Sequence, residues 1–195
     1  MESVVIENIL ARRSVRGGFC DRQVAEADLV DLVEAGIHAP SGSNSQSVRF
    51  VLTNDPKEIT RIGSIRGNAI AASRGLIAVF VDRAVVDWSI RHNGGLWQKL
   101  AYQDSAAAIQ NMLLLATAKG LSSCWISAYA EMDGTDCLAG KKWSDVFDVP
   151  ESYEIMGLVM LGYLSKHAPG DMAHRGRPVR RQPVDHYIWR GAQCV

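Results

Sequence analysis

Asp104-Ser105-Ala106-Ala107-Ala108-Ile109-Gln110-Asn111-Met112-Leu113-Leu114-Leu115-Ala116-Thr117-Ala118-Lys119 leaves almost no polar face when wound at about 3.6 residues per turn. A helix that is apolar all round is buried all round, so this segment is expected to form the core. Its alanines permit close approach, including approach across a subunit interface. Gly120 stands where a helix C-terminus takes a left-handed residue. On the C-terminal side, Cys124 to Ala128 reads as a strand and Val146 to Tyr153 as a loop around Pro150. Ile155 to Leu164 is the longest strand, with Gly157 and Gly162 as bulges or close approaches.

On the N-terminal side, Leu76 to Val81 and Val48 to Thr53 are short apolar runs rich in β-branched residues, the signature of buried strands. The segment between these two runs, with Arg61, Arg66, Asn68 and Arg74, reads as a helix plus loop. A helix is predicted from about Glu26 to His38, with Leu29, Leu32, Val33, Gly36 and Ile37 on one face and Pro40 as its stop. Another runs from Val4 to Ala11, with Ser3 as N-cap and Val5, Ile6, Ile9 and Leu10 at helical spacing. Gly17-Gly18 follows as its end. Helices lead and strands then alternate with helices, which points to an α+β fold with a mostly antiparallel or mixed sheet. No repeat or linker divides the chain, so residues 1–195 are expected to form one domain.

Composition narrows the function. The chain has 195 residues, 47% of them apolar, enough for a substantial core. Lys plus Arg and Asp plus Glu both number 21, so formal net charge is zero. That argues against charge-driven binding to nucleic acid or anionic membrane, and is compatible with self-association. The cysteines, Cys20, Cys124, Cys137 and Cys194, form no CxxC pair, and no His spacing suggests zinc or another metal. Reduced thiols, no basic start leading into a long apolar run, and no membrane-length apolar stretch lead to the expectation of a cytoplasmic protein.

Charge is concentrated instead in two clusters. Arg12-Arg13-Ser14-Val15-Arg16 places three guanidiniums and a hydroxyl at the end of the first helix, and His174 to Arg181 forms a second basic group. Guanidinium grips phosphate bidentately. The partial negative charge of a helix C-terminus does not help an anion, so side chains must do the binding. The alternative is a solvated basic helix end. Between helix and strand lies Ala39-Pro40-Ser41-Gly42-Ser43-Asn44-Ser45-Gln46-Ser47, an uncharged loop of small hydrogen-bonding residues. Small side chains let a flat ligand approach the backbone, and Asn44 and Gln46 both donate and accept. Trp88, His92, Trp97 and Tyr102, spread through Asp82 to Gln103, read either as a packed surface hairpin or as a flap over an aromatic substrate.

Taken in order, these motifs resemble the nitroreductase superfamily of flavoproteins. Arg-Arg-Ser-Val-Arg resembles its opening motif, Ala-Pro-Ser-Gly-Ser-Asn-Ser-Gln its second, and Asp104 through Trp125 its central helix and following strand. Leu161-Gly162-Tyr163 and Arg175-Gly176-Arg177-Pro178 resemble its C-terminal signature. The resemblance implies an intertwined α+β homodimer with FMN at its interface. It further implies NAD(P)H as reductant and ping-pong reduction of a nitroaromatic, quinone or similar acceptor by hydride transfer through flavin N5. It assigns Arg12, Arg13, Ser14 and Arg16 to the FMN phosphate, ribityl chain and pyrimidine side, with Arg175 and Arg177 closing on the phosphate. Pro40, Ser41, Gly42 and Asn44 would contact the flavin from the other subunit. Trp125, Ser127 and Ala128 would lie near the ring, and Asn68 near its pyrimidine. No side chain is assigned a bond-making role, and Arg16 is the candidate for tuning the flavin.

The sequence departs from the family where Ser47-Val48 replaces Pro-Trp, where Ala128 replaces Gly, and where Arg66 and Asn68 stand in a region expected to supply lysine. Dehalogenating and flavin-consuming relatives, and a non-catalytic flavin store, remain open alternatives at this level.

Overall fold

A computed structural model describes residues 3–86, 97–128 and 142–166, with backbone alone at 68, 97 and 98. Helices among the described residues include α1 (Val4–Ala11), α2 (Glu26–Ile37), α3 (Pro56–Arg66), α4 (Asn68–Ala71), α5 (Trp97–Ala118) and α6 (Trp143–Phe147). The strands among the described residues are β1 (Val48–Thr53), β2 (Gly75–Asp82), β3 (Ser122–Ser127) and β4 (Tyr153–Gly162). They form one antiparallel sheet in the order β1-β2-β4-β3. The fold is α+β, with helices on both sheet faces.

Period-two alternation explains why β2 is apolar without interruption from Leu76 to Val81. Leu76, Ala78 and Phe80 face Ile59, Ile62 and Ile70 of α3 and α4, and Val146 and Phe147 of α6. Ile77 and Val79 face Leu29 and Leu32 of α2, and Ile109 and Met112 of α5. A strand covered on both sides has no position left for a polar residue. Phe80 meets Phe147 edge-on, with ring centroids 5.5 Å apart.

Local chemistry sets the element ends. Asp55 caps α3 by accepting the Lys57 N–H at 2.9 Å, and Pro56 occupies the first turn. Gly120, at φ +74, closes α5 in a Schellman turn: Leu121 N–H donates to Ala116 O and Gly120 N–H to Thr117 O. Gly157 and Gly162 are close approaches. An added Cβ would lie 2.4 Å from Trp125 Nε1 at the first and 2.6 Å from the Phe19 ring at the second. The β2–β4 register also shifts beside Gly157.

Several expectations need correction. The central helix begins at Trp97, not Asp104, and absorbs the end of the aromatic segment. Lys99, Tyr102 and Gln103 on that first part are exposed, which gives it a surface-like pattern. Trp88 and His92 lie outside the described residues. Nor is the helix buried all round: Ala106, Ala107, Leu114 and Leu115 are only half-buried and Gln110 is exposed. Helix α1 ends at Ala11, and Arg12 to Arg16 lie beyond it in extended chain, so Gly17-Gly18 is not its stop. Ser3 takes the N-cap position of α1 as expected, but without a side-chain capping hydrogen bond. The apolar positions of α1 are not core: Val4, Val5, Ile6, Ile9 and Leu10 are 47–78% exposed. Val146 and Phe147 belong to α6 rather than to a loop. No helix among the described residues is long and apolar enough to cross a membrane.

Candidate functional site

The first basic cluster is set by backbone pairing with β3. Ser14 forms a parallel bridge with Ser123, and Val15 N–H donates to Ser123 O at 2.9 Å. Val15 is buried, while its neighbours Ser14 and Arg16 alternate toward the other side of the extended chain. Arg12, Ser14 and Arg16 all reach the neighbourhood of Cys124. Burial pushes that thiol above its ordinary range, and Arg16, a hydrogen bond with Ser14, and Arg12 pull it partly back. Arg13 is employed differently. Its Nη1 donates to the carbonyls of Leu10 and Arg12, satisfying the end of α1 where a cation also suits the dipole.

At the other end of β3, Arg66 closes α3 and donates from Nη2 to Ser127 O at 2.7 Å. Its Nε is buried with no partner. A buried guanidinium N–H left unpaired is uncommon and calls for a ligand or water. Ser127 is exposed and Ala128 buried beside it. Trp125 turns its indole across Gly157, so its contribution at this edge is backbone. Asn68 opens α4 two positions beyond Arg66. Arg175 and Arg177 lie outside the described residues.

The Ser41–Gln46 loop is an unusual piece of backbone. Ser43, Asn44 and Gln46 have φ of 44, 58 and 49, left-handed values at three non-glycine residues within four. Each costs on the order of 1–3 kcal/mol unless its surroundings hold it. Two ties come from α5, where buried Asp104 accepts the Gly42 N–H at 2.9 Å and the Ser45 hydroxyl at 3.2 Å. Within the loop, Gln46 N–H donates to Ser41 Oγ, and Arg49 Nη1 holds Gln46 O at 2.7 Å. Pro40, Ser43, Asn44 and Gln46 present outward. A cavity of about 660 Å³ opens beside the loop, between Gly36 and Ile37 of α2, Val48 and Phe50 of β1, and Asp104 and Ala108 of α5.

The structure thus gathers Arg12, Ser14 and Arg16 at one edge of the sheet, with Ser127, Ala128 and Arg66 farther along the same edge. Pro40, Ser41, Gly42 and Asn44 precede β1 at the opposite edge, three strand spacings or about 14 Å across. Asp104 and the orphaned Arg66 Nε escaped the sequence reading as site features. A lone aspartate opening an alanine-rich run was the available signal for the first; for the second, Arg66 was noted where a lysine is expected, but nothing in the sequence marked its Nε as buried and unpaired.

A protein of Archaeoglobus fulgidus, provisionally named NADH dehydrogenase/NAD(P)H nitroreductase, is 27% identical over 164 residues, covering 81% of this chain and 84% of its own. A solved structure from Desulfovibrio desulfuricans, provisionally named a nitroreductase and in complex with FMN, superposes with a TM-score of 0.73 at 24% identity. It covers 98% of this chain and 99% of its own. Nitroreductase CinD from Lactococcus lactis, in complex with nicotinic acid, gives 0.74 at 19% identity, over 95% and 99% of the two chains. At those identities the two structures establish likeness of fold. The family model described as "Nitroreductase family" matches residues 9–163, from the end of α1 to the residue after β4, and this chain belongs to that family.

Proposed function

We propose that this chain is an FMN-dependent oxidoreductase, active as a homodimer, that uses NAD(P)H to reduce nitroaromatic, quinone or related electron-poor acceptors. The observation that carries the reading is the β3 edge, where Arg12-Arg13-Ser14-Val15-Arg16 runs beside Ser123 through the Ser14–Ser123 bridge and Arg66 offers a buried, unpartnered Nε beside Ser127. That donor set fits FMN. Guanidiniums at one end match a phosphate dianion. About 10 Å of extended strand separates them from Ser127, leaving room for a ring at the other end.

When bound, FMN would supply the redox chemistry, hydride transfer through flavin N5 from NAD(P)H to an acceptor in ping-pong fashion. The protein binds, orients and shields. Arg12 and Ser14 hold the phosphate and ribityl chain, joined by Arg175 and Arg177. Arg13, with Nη1 committed to α1, contributes through its remaining donors. Arg16 and Arg66 are the cations available to the pyrimidine side, with Asn68, where a positive group stabilises the charge that reduction adds. Backbone groups of Trp125, Ser127 and Ala128 line the ring.

Pro40, Ser41, Gly42 and Asn44 reach the flavin from the other protomer. Two features support that arrangement. The two half-sites lie on opposite edges of one sheet, and α1 leaves an apolar stripe exposed that a second chain would cover. Residues 1–195 serve as one FMN-binding domain. Free Cys20 and Cys124 accord with a cytoplasmic setting.

A visible spectrum of the purified protein tests the cofactor, and anaerobic bleaching by NADH or NADPH separates an enzyme from a flavin store. Turnover with menadione or a nitrofuran separates acceptor reduction from flavin-consuming chemistry. Colourless protein that gains no thermal stability from added FMN refutes the proposal.

A further inference from the structure

Asp104 is 6% exposed, and no cation pairs with it among the described residues. Taking a carboxylate out of water without a counter-charge is costly, so its hydrogen bonds must justify it. Both recorded bonds go to one place: Oδ1 accepts from Gly42 N–H and Oδ2 from the Ser45 hydroxyl. Those residues bracket Ser43 and Asn44, two of the loop's three left-handed residues. The Leu100 side chain lies directly beneath Gly42, so the helix supplies both a floor and an anchor. The loop's other described ties, Asn44 N–H to Ser41 O, Ser45 N–H to Gly42 O and Gln46 N–H to Ser41 Oγ, are internal or end at Arg49 next to it. They shape the loop without fixing it to the core.

We propose that Asp104 is the positioning residue of the Ser41–Gln46 loop, holding from the central helix the left-handed form in which that loop meets its ligand. The ligand's identity as the flavin of the opposite protomer rests on the function proposed above; the anchoring does not. The demand is geometric. An asparagine can satisfy it: Oδ1 still accepts from Gly42 N–H, and Nδ2 donates to a Ser45 hydroxyl that turns from donor to acceptor. An alanine can satisfy neither bond.

The test compares Asp104→Ala and Asp104→Asn in full-length protein by amide hydrogen exchange and FMN titration. Asp104→Ala should speed exchange at Gly42 about tenfold or more and weaken FMN binding by about tenfold, the scale of one hydrogen bond to a charged acceptor. It should also shift the visible bands of the bound flavin. Asp104→Asn should stay within about threefold of the parent on both measures. Unchanged exchange at Gly42 in Asp104→Ala overturns the proposal, as does an Asn variant that loses as much as Ala. A loop that opens while FMN binds at parental strength overturns it too. Should Asp104→Ala fail to fold, Ser45→Ala replaces it: faster exchange at Ser45 and Gln46 there, with none in Asp104→Asn, upholds the anchor, and any other pattern overturns it. A parent protein that ignores FMN while Asp104→Ala still frees the loop refutes the flavin reading and leaves the anchor standing.

Discussion

Replacing Gly157 by alanine probes the packing beneath the β3 edge. The added Cβ would lie 2.4 Å from Trp125 Nε1, 2.9 Å from Trp125 Cδ1 and 3.2 Å from Ile126 O. The carbonyl cannot retreat, because Ile126 is paired with Leu158 in the β3–β4 ladder. The indole must therefore give way, and it packs against the core formed by α2, α5 and the sheet. Trp125 Nε1 has no hydrogen bond to lose, so the penalty is steric. Overpacking of this kind costs about 1–3 kcal/mol. For a chain of this length that lowers Tm by roughly 2–12 °C, at about 2–4 °C per kcal/mol. Urea unfolding followed by far-UV circular dichroism reads the change, at one fixed protein concentration because assembly couples to stability. The decisive comparison is the same substitution in a Trp125→Leu background. There the obstruction is gone, and alanine should be neutral or slightly favourable, since glycine weakens a strand interior. The two changes should then couple by at least about 1 kcal/mol. Effects that add to within about 0.5 kcal/mol would mean that the indole is not what excludes the methyl, and the steric reasoning fails.

Arg12→Ala should weaken FMN binding by roughly 1.5–3 kcal/mol, read by titrating apo-protein; unchanged affinity moves the phosphate elsewhere. Phe80→Ala removes a fully buried ring set edge-on to Phe147 and should cost about 3–5 kcal/mol in urea unfolding; a loss below about 1 kcal/mol contradicts the packing described. Asp28 links α2 to the end of α5. Its bond from Lys119 holds the carboxyl below its ordinary 3.8, outweighing burial, with help from Tyr163. A carboxyl depressed on folding stabilises above its unfolded pKa and loses that contribution as pH falls through its folded one. The stability advantage over Asp28→Asn should therefore be flat from neutrality to about pH 5 and shrink below about pH 4. An advantage that grows on acidification refutes the pairing. Lys119, raised by Asp28 and Asp31, contributes in full below its ordinary value of 10.5 and loses that contribution as pH rises from there through its raised folded value.

The parts of the fold readable in advance are those where one residue pattern permits one environment. Val48–Thr53 emerges with those bounds, and the run from Leu76 to Val81 is extended by one residue at each end. Such runs cannot face water. The first turns of α5 were hidden because Tyr102 bonds outward to Glu154 and reads as surface, although Ala101 beside it is buried. In the loop, composition revealed hydrogen-bonding capacity, but not that Ser43, Asn44 and Gln46 take positive φ. None is glycine, and one of the bonds that hold the loop comes from a residue 62 positions away. The arginines were legible as chemistry and illegible as geometry. Arg12 to Arg16 and Pro40 to Asn44 are near in the chain, yet sheet order β1-β2-β4-β3 sends them to opposite edges. No local pattern encodes that separation, because it follows from which strands pair across long loops. Within one chain it leaves cations at one edge and an outward-facing strained loop at the other, while α1 exposes Val4, Val5, Ile6, Ile9 and Leu10. Two such chains set edge to edge would give each group a use, which is why the proposed dimer is argued from unspent groups rather than from any contact inside a single protomer.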